Sequence, residues 1–191
     1  QVGLARPVTK AAWLVERAED LSNEVSRALH LAGSGRPGPV HLSLPNDILP
    51  AAVTPAPLQL PPEEAAPLDE TLITQILDLL AGARYPLLLA GPAMKRPRRW
   101  PVVEQLAQTA AIPALPMESP RGINDPWLHQ ATNCLERADL VLLAGKKLDF
   151  TLRFGQSPFF SHSCRFIQID ADAEHLSQDP RVVLKINAEP T

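Results

Sequence analysis

The sequence predicts an α/β protein, a parallel sheet with helices on both faces, preceded by a shorter helix–strand segment. Three observations carry that reading. Apolar runs recur at residues 85–90, 140–144 and 166–169, the last interrupted only by Gln168. Stretches with apolar residues at three- and four-residue steps separate them. Each run ends in a turn-forming or acidic residue, at Gly91, Gly145 and Asp170. Strands apolar on both sides and separated by helices belong to parallel sheets covered on two faces.

Along residues 1–49, Leu14, Ala18, Leu21, Val25, Ala28, Leu29 and Ala32 follow helical spacing. A break near Asp20 or Ser22 fits that pattern, since both residue types cap helices. Gly33-Ser34-Gly35 stops the helix, and residues 39–44 read as one short strand. One helix and one strand make no core, so this segment must lean on something else. Seven prolines follow, Pro45, Pro50, Pro55, Pro57, Pro61, Pro62 and Pro67. They favour extended backbone that donates few hydrogen bonds, and residues 50–67 read as a semi-rigid linker.

The main domain is expected over residues 68–191. A helix over 70–81 has Asp69 as N-cap, Leu72, Ile73, Ile76, Leu79 and Leu80 facing inward, and Gly82 as its stop. The strand over 85–90 ends in Gly91. Pro101 suits the first turn of a helix whose buried stripe is Val103, Leu106, Ala107 and Ala110. A short strand over 112–115, a loop and a helical stretch before Asp139 come next. Strands over 140–144, 166–169 and 182–186 complete a Rossmann-like alternation.

The composition is that of an ordinary folded protein: 191 residues, 45% hydrophobic, 20% charged, net charge −3. No global basic field attracts nucleic acid or anionic membrane. No apolar run approaches the roughly 20 residues of a membrane-spanning helix. Two cysteines, Cys134 and Cys164, cannot build a disulfide scaffold, and a cytoplasmic location is the expectation. The first residue is not Met, and the opening falls in mid-pattern, so the chain reads as a piece of a longer one.

Few motifs carry chemistry. Gly33-Ser34-Gly35-Arg36-Pro37-Gly38 spells a dinucleotide fingerprint, but a helix precedes it and a strand follows, the reverse of what a phosphate loop needs. The strand ends are better candidates, because open α/β sheets bind ligands outside their carboxyl edge. Glycines at 91 and 145 admit close approach of a ligand, lysines can meet phosphate, and Asp170 can accept ribose hydroxyls. The basic run Lys95-Arg96-Pro97-Arg98-Arg99 precedes a helix start, where cations oppose the macrodipole; a bound anion or solvation of the long side chains would relieve that conflict, and solvation is the expectation. The five histidines lack metal-ligand spacing, and Cys164 opens an apolar strand as a small core residue. No catalytic and no metal-ligating set is assigned.

Several segments together resemble a known family. Pro7-Val8-Thr9-Lys10, Gly35-Arg36-Pro37-Gly38-Pro39-Val40 and Leu44-Pro45-Asn46-Asp47-Ile48-Leu49 resemble the end of the pyrimidine-binding domain of thiamine-diphosphate enzymes. Leu87-Leu88-Leu89-Ala90-Gly91, Ala138–Gly145 with Leu148-Asp149-Phe150, and Phe166-Ile167-Gln168-Ile169-Asp170 are similar to strand ends of the central domain in the acetolactate synthase group. Benzaldehyde lyase and 2-hydroxyacyl-CoA lyase are similar relatives. The resemblance implies a parent enzyme that makes or breaks carbon–carbon bonds beside a carbonyl, acting on 2-keto acids or 2-hydroxy ketones. In such enzymes thiamine diphosphate is the electron sink. Magnesium and the diphosphate sit on a Gly-Asp-Gly motif in a third domain, and a glutamate early in the first domain activates the cofactor. The Gly-Asp-Gly motif does not occur in this sequence.

The resemblance therefore implies a remnant of the pyrimidine domain over 1–49 and the central domain over 68–191, inactive alone. Its partners would be the missing domains of the same polypeptide, in a homo-oligomeric parent. The family's central domain binds FAD in some members and ADP-type groups in CoA-using ones. The matching positions are Gly91, Lys95, Gly145, Lys147 and Asp170. Pro92-Ala93 and Lys147 depart from the family's glycine-rich turn and arginine, which favours ADP or a CoA moiety over FAD. Two other readings stand beside this one: a freestanding nucleotide-binding module, and a structural spacer.

Overall fold

The computed structural model describes residues 1–35, 37–54, 56–59, 68–97 and 99–189. Arg36, Pro55, the linker positions 60–67 with Pro61, Pro62 and Pro67, and Arg98 lie outside the described residues. The chain forms two compact units, Gln1–Glu64 and Ala65–Thr191.

The first unit contains a strand where helical spacing from Leu14 onward predicts the start of a helix. After the short helix α1 (Val2–Ala5), β1 (Ala11–Leu14) pairs in parallel with β2 (Val40–Ser43), placing Trp13 opposite Leu42. Leu14 thus belongs to a strand, and helix α2 runs Leu21–Gly33 with Asp20 at its N-cap position. Leu14 fits the 3.6-residue period by position alone, whereas β1 is fixed by hydrogen bonds to a strand 29 positions further on in register. Lys10 Nζ donates to the carbonyls of Leu31 (2.6 Å) and Ser34 (2.7 Å), a cation on the negative end of α2.

In the second unit, α3 (Glu70–Ala81) is capped as expected, with the Asp69 carboxylate accepting from Thr71 N. Strands β3 (Pro86–Ala90), β4 (Ala114–Pro116), β5 (Leu140–Ala144), β6 (Arg165–Asp170) and β7 (Val182–Asn187) form one parallel sheet in the order β4-β3-β5-β6-β7. Alternate side chains go to opposite faces. Leu87, Leu89, Val141, Leu143 and Phe166 pack with Leu135 of α5 (Thr132–Arg137), Leu152 and Phe160 on one side. Leu88, Leu140, Leu142, Ile167 and Ile169 pack with Leu80 of α3 and Val103 of α4 (Trp100–Ala110) on the other. This double coverage is why β3 and β5 read as unbroken apolar runs.

Two helix stripes are narrower than predicted. Ile73 is 41% exposed and shares its side of α3 with the exposed Leu77; the covered stripe is Leu72, Ile76, Leu79 and Leu80. Of the stripe predicted on α4, Leu106 and Ala110 are exposed and Val103 and Ala107 are covered. The strand expected over 112–115 lies slightly later, at Ala114–Pro116, on the sheet edge where a proline is tolerated.

Asp139 stitches the amino ends of three strands. Its carboxylate accepts from Arg84 N (2.8 Å) and Tyr85 N (2.9 Å), and its carbonyl accepts from Arg165 N (3.0 Å). Burial pulls its pKa up, but those amides outweigh it and hold it below the ordinary value. Asp179, held by hydrogen bonds from Arg181, is also lowered. A carboxyl whose folded pKa is depressed stabilises the fold above its unfolded pKa of about 3.9, and that stability is lost as pH falls through the folded value. The urea midpoint should therefore be level from pH 7 to about 5 and fall below about 4, with a shallower acid limb in Asp139→Asn. An equally steep limb in that variant would remove Asp139 from this role.

Candidate functional site

The strand order places the topological switch point between β3 and β5, whose outer neighbours β4 and β6 lie on opposite sides. The two glycines expected to admit a ligand stand there, in contact with each other. Gly91 N donates to Ala144 O (2.8 Å) and Gly145 N to Ile169 O (2.8 Å), so the ladder continues past the strand ends. A Cβ on Gly91 would lie 1.8 Å from the Gly145 carbonyl oxygen. Gly145 has φ of +61°, which carries the chain away in a left-handed turn. Backbone packing alone requires glycine at 91.

The other predicted residues are at the same edge, each in its own setting. Lys95 ends a 3-10 turn over Pro92–Lys95, and its Nζ lies 4.0 Å from the Trp100 ring centroid. Arg99 is 9% exposed and bonds Glu189 through Nη2 at 2.9 Å. Solvation therefore does not account for Arg99, which a carboxylate holds, whereas Lys95 and Arg96 are exposed and Lys95 also lies over an aromatic face. Lys147 is half-buried on the turn after Gly145, whereas its neighbour Lys146 is buried. Lys146 Nζ donates to Thr151 Oγ1 at 2.5 Å, and Thr151 Oγ1 donates to Asp149 Oδ1. Burial raises the Asp149 pKa, but the bonds from Thr151 and the charge of Lys146 bring it below the ordinary value.

Asp170 is the last residue of β6 and is buried. Its Oδ1 accepts from Asp172 N (3.0 Å) and lies 3.3 Å from His175 Nδ1, while His175 Nε2 lies 3.2 Å from Asp172 Oδ2. Gln168, fully buried, donates to His175 O (2.8 Å) and accepts from Ser177 N (2.8 Å), fastening this loop to β6. The structure thus gathers Gly91, Gly145 and Asp170 on three adjacent strands and turns Lys95 onto Trp100. Sequence reasoning did not mark Lys146 as the inward-turned lysine, nor Gln168 and His175 as members of this edge. Nothing in a Lys-Lys pair says which lysine turns inward, and His175 is fixed only by the loop's return.

Cys164 is fully buried, and burial pushes its thiol up to about 12, which keeps it protonated and inert. The glycine–proline run at 33–38 ends α2, with Gly35 at φ +51°, and leads into β2, the wrong context for a phosphate loop.

A groove of about 780 Å³ opens between the loops that leave the carboxyl ends of β4 and β5. Arg121 and Asn124 border it on one side, and Phe150, Arg153 and Phe154 on the other. Arg153 and Phe154 have φ of +49° and +52°, a left-handed conformation rare for residues of this size. Arg181 fixes it by donating to Gly155 O (2.6 Å) and Phe154 O (3.2 Å). On the other side Gly122 approaches so closely that a Cβ there would lie 1.9 Å from Thr151 O.

A five-stranded parallel sheet with switch-point glycines and helices on both faces defines the class as a Rossmann-like α/β domain. The model of the thiamine pyrophosphate enzyme central domain matches residues 73–191, and the chain belongs to that family. Oxalyl-CoA decarboxylase of Escherichia coli is 28% identical over 97% of this chain and 35% of its own length. Acetolactate synthase isozyme 1 large subunit of the same organism is 28% identical over 98% of this chain and 36% of its own. The 2-hydroxyacyl-CoA lyase of Oryza sativa is 28% identical over 92% and 34%. The chain thus spans about a third of these relatives. The X-ray structure of a protein from Mycobacterium smegmatis, described as a thiamin diphosphate-dependent enzyme, superposes with a TM-score of 0.67 at 23% identity, covering 99% of this chain and 39% of that one. That likeness speaks for the fold.

Magnesium-bound diphosphate needs carboxylates beside phosphate oxygens. Among the described residues no group of three or more His, Cys, Asp or Glu is placed to hold a metal ion. These described residues do not fit a magnesium–diphosphate cradle. No helix among them is long and apolar enough to cross a membrane.

Proposed function

We propose that this chain is the central part of a thiamine-diphosphate-dependent carboligase or lyase acting on 2-keto acids or 2-hydroxy ketones. Its partners are then further domains of the same polypeptide, in a homo-oligomer. The observation that carries the reading is the central-domain match over residues 73–191, in a chain covering about a third of its relatives. Within the parent, the carboxyl edge around Gly91 and Gly145 serves as a rigid spacer. That role is supported by groups satisfied within the chain: the Gly91–Gly145 contact, Lys95 on Trp100, Lys146 on Thr151, and Asp170 beside His175. An ADP, CoA or FAD site built from Gly91, Lys95, Gly145, Lys147 and Asp170 has no comparable support.

The test compares the complete polypeptide with this chain in a thiamine-diphosphate-dependent assay of 2-keto acid consumption. The complete polypeptide should turn over and this chain should not. Turnover by this chain alone, or cofactor-independent turnover by the complete polypeptide, would sink the reading.

A further inference from the structure

We propose that the groove between the loops after β4 and β5 binds a planar aromatic carboxylate. The inference rests on the proposed function only in choosing a 2-keto acid as probe, and its readout is binding, so failure of the catalytic reading leaves it separately testable.

Charge is the first argument. Arg121 and Arg153 both line the groove, and none of its lining residues is acidic. A guanidinium has five N–H donors in a planar fork that matches a carboxylate. Arg153 Nη2 donates to Asn124 Oδ1 (3.1 Å), which ties its loop across the groove and, among the described residues, leaves most of that fork for a ligand.

Shape and surface are the second. Phe150 is 66% exposed and Phe154 57% exposed, and both border the same cavity. Large apolar rings left in water beside cations are the composition expected of a site for an anion with a flat apolar body.

Preorganisation is the third. Holding Arg153 and Phe154 in consecutive left-handed conformations costs free energy, and such strain persists only where surrounding structure enforces it. Here the Arg181 clamp and the Gly122–Thr151 approach enforce it, one from each side. The groove is thus fixed before any ligand arrives, so little ordering entropy is lost on binding.

Calorimetric titration of the 191-residue chain should show benzoylformate binding at least tenfold tighter than acetate, which lacks the ring, or benzyl alcohol, which lacks the charge. Arg121→Gln and Arg153→Gln should each weaken benzoylformate at least tenfold with an unchanged thermal midpoint. Phe150→Leu, which leaves the backbone conformations alone, should erode the preference over acetate. Equal binding of the three probes, unchanged affinity in both arginine variants, no binding at millimolar probe, or tighter binding of ADP than benzoylformate would each overturn the proposal.

Discussion

Phe166→Ala should destabilise the second unit by about 3–5 kcal/mol, the range for removing a fully buried aromatic ring. Phe166 is fully buried in β6, between strands β5 and β7. Its ring meets Phe160 edge-on at a centroid distance of 5.6 Å, and the Arg181 guanidinium carbon lies 5.4 Å from its centroid. The cost therefore has two parts: a cavity on the face shared with Leu143 and Leu152, and a lost platform beneath Arg181. Since Arg181 also holds the carbonyls of Phe154 and Gly155, the variant should loosen that loop beyond its loss of global stability. Phe166→Leu conserves most of the volume and should cost under about 1.5 kcal/mol. Urea denaturation measures both, and a loss near 1 kcal/mol for the alanine variant would mean that the site collapses around the gap.

Gly91→Ala should cost about 3 kcal/mol, the upper part of the usual range for overpacking. Its backbone, at φ −70° and ψ 171°, suits any residue, so no torsional strain is involved. The cost comes from the Gly145 carbonyl, 1.8 Å from the new methyl group, which must move although the preceding Ala144–Gly145 peptide is bonded to Gly91 N on one side and to Ile169 O on the other. Gly33→Ala is the control, because nothing lies within 4 Å of a Cβ there, and it should change stability by less than about 0.5 kcal/mol. Equal stability of the two variants would restore a ligand, rather than backbone packing, as the reason for glycine at 91.

That contrast marks how far the sequence could be read. The sheet of the second unit was legible because strands covered on both faces announce themselves locally, as Leu140–Ala144 does. The capped helix over Glu70–Ala81 was legible for the same reason: Asp69 and Gly82 punctuate it within its own turns. β1 was not, since Leu14 can serve a helical period or a strand and only the distant β2 decides. The same limit applies at the candidate site. Residue type and strand-end position point to Gly91, Gly145 and Asp170 at one edge. What each meets there, a carbonyl for Gly91 or His175 for Asp170, depends on contacts between elements far apart in sequence. The groove went unread because its signal is a backbone conformation at Arg153 and Phe154, which neither residue type suggests.

The most direct measurement is calorimetric titration of thiamine diphosphate with magnesium into this chain and into the complete polypeptide. If residues 73–191 serve as the central domain of a larger enzyme, the complete polypeptide binds the cofactor with micromolar, magnesium-dependent affinity and this chain shows no heat of binding. A magnesium-dependent site of comparable affinity in this chain alone would contradict the division of labour proposed for it.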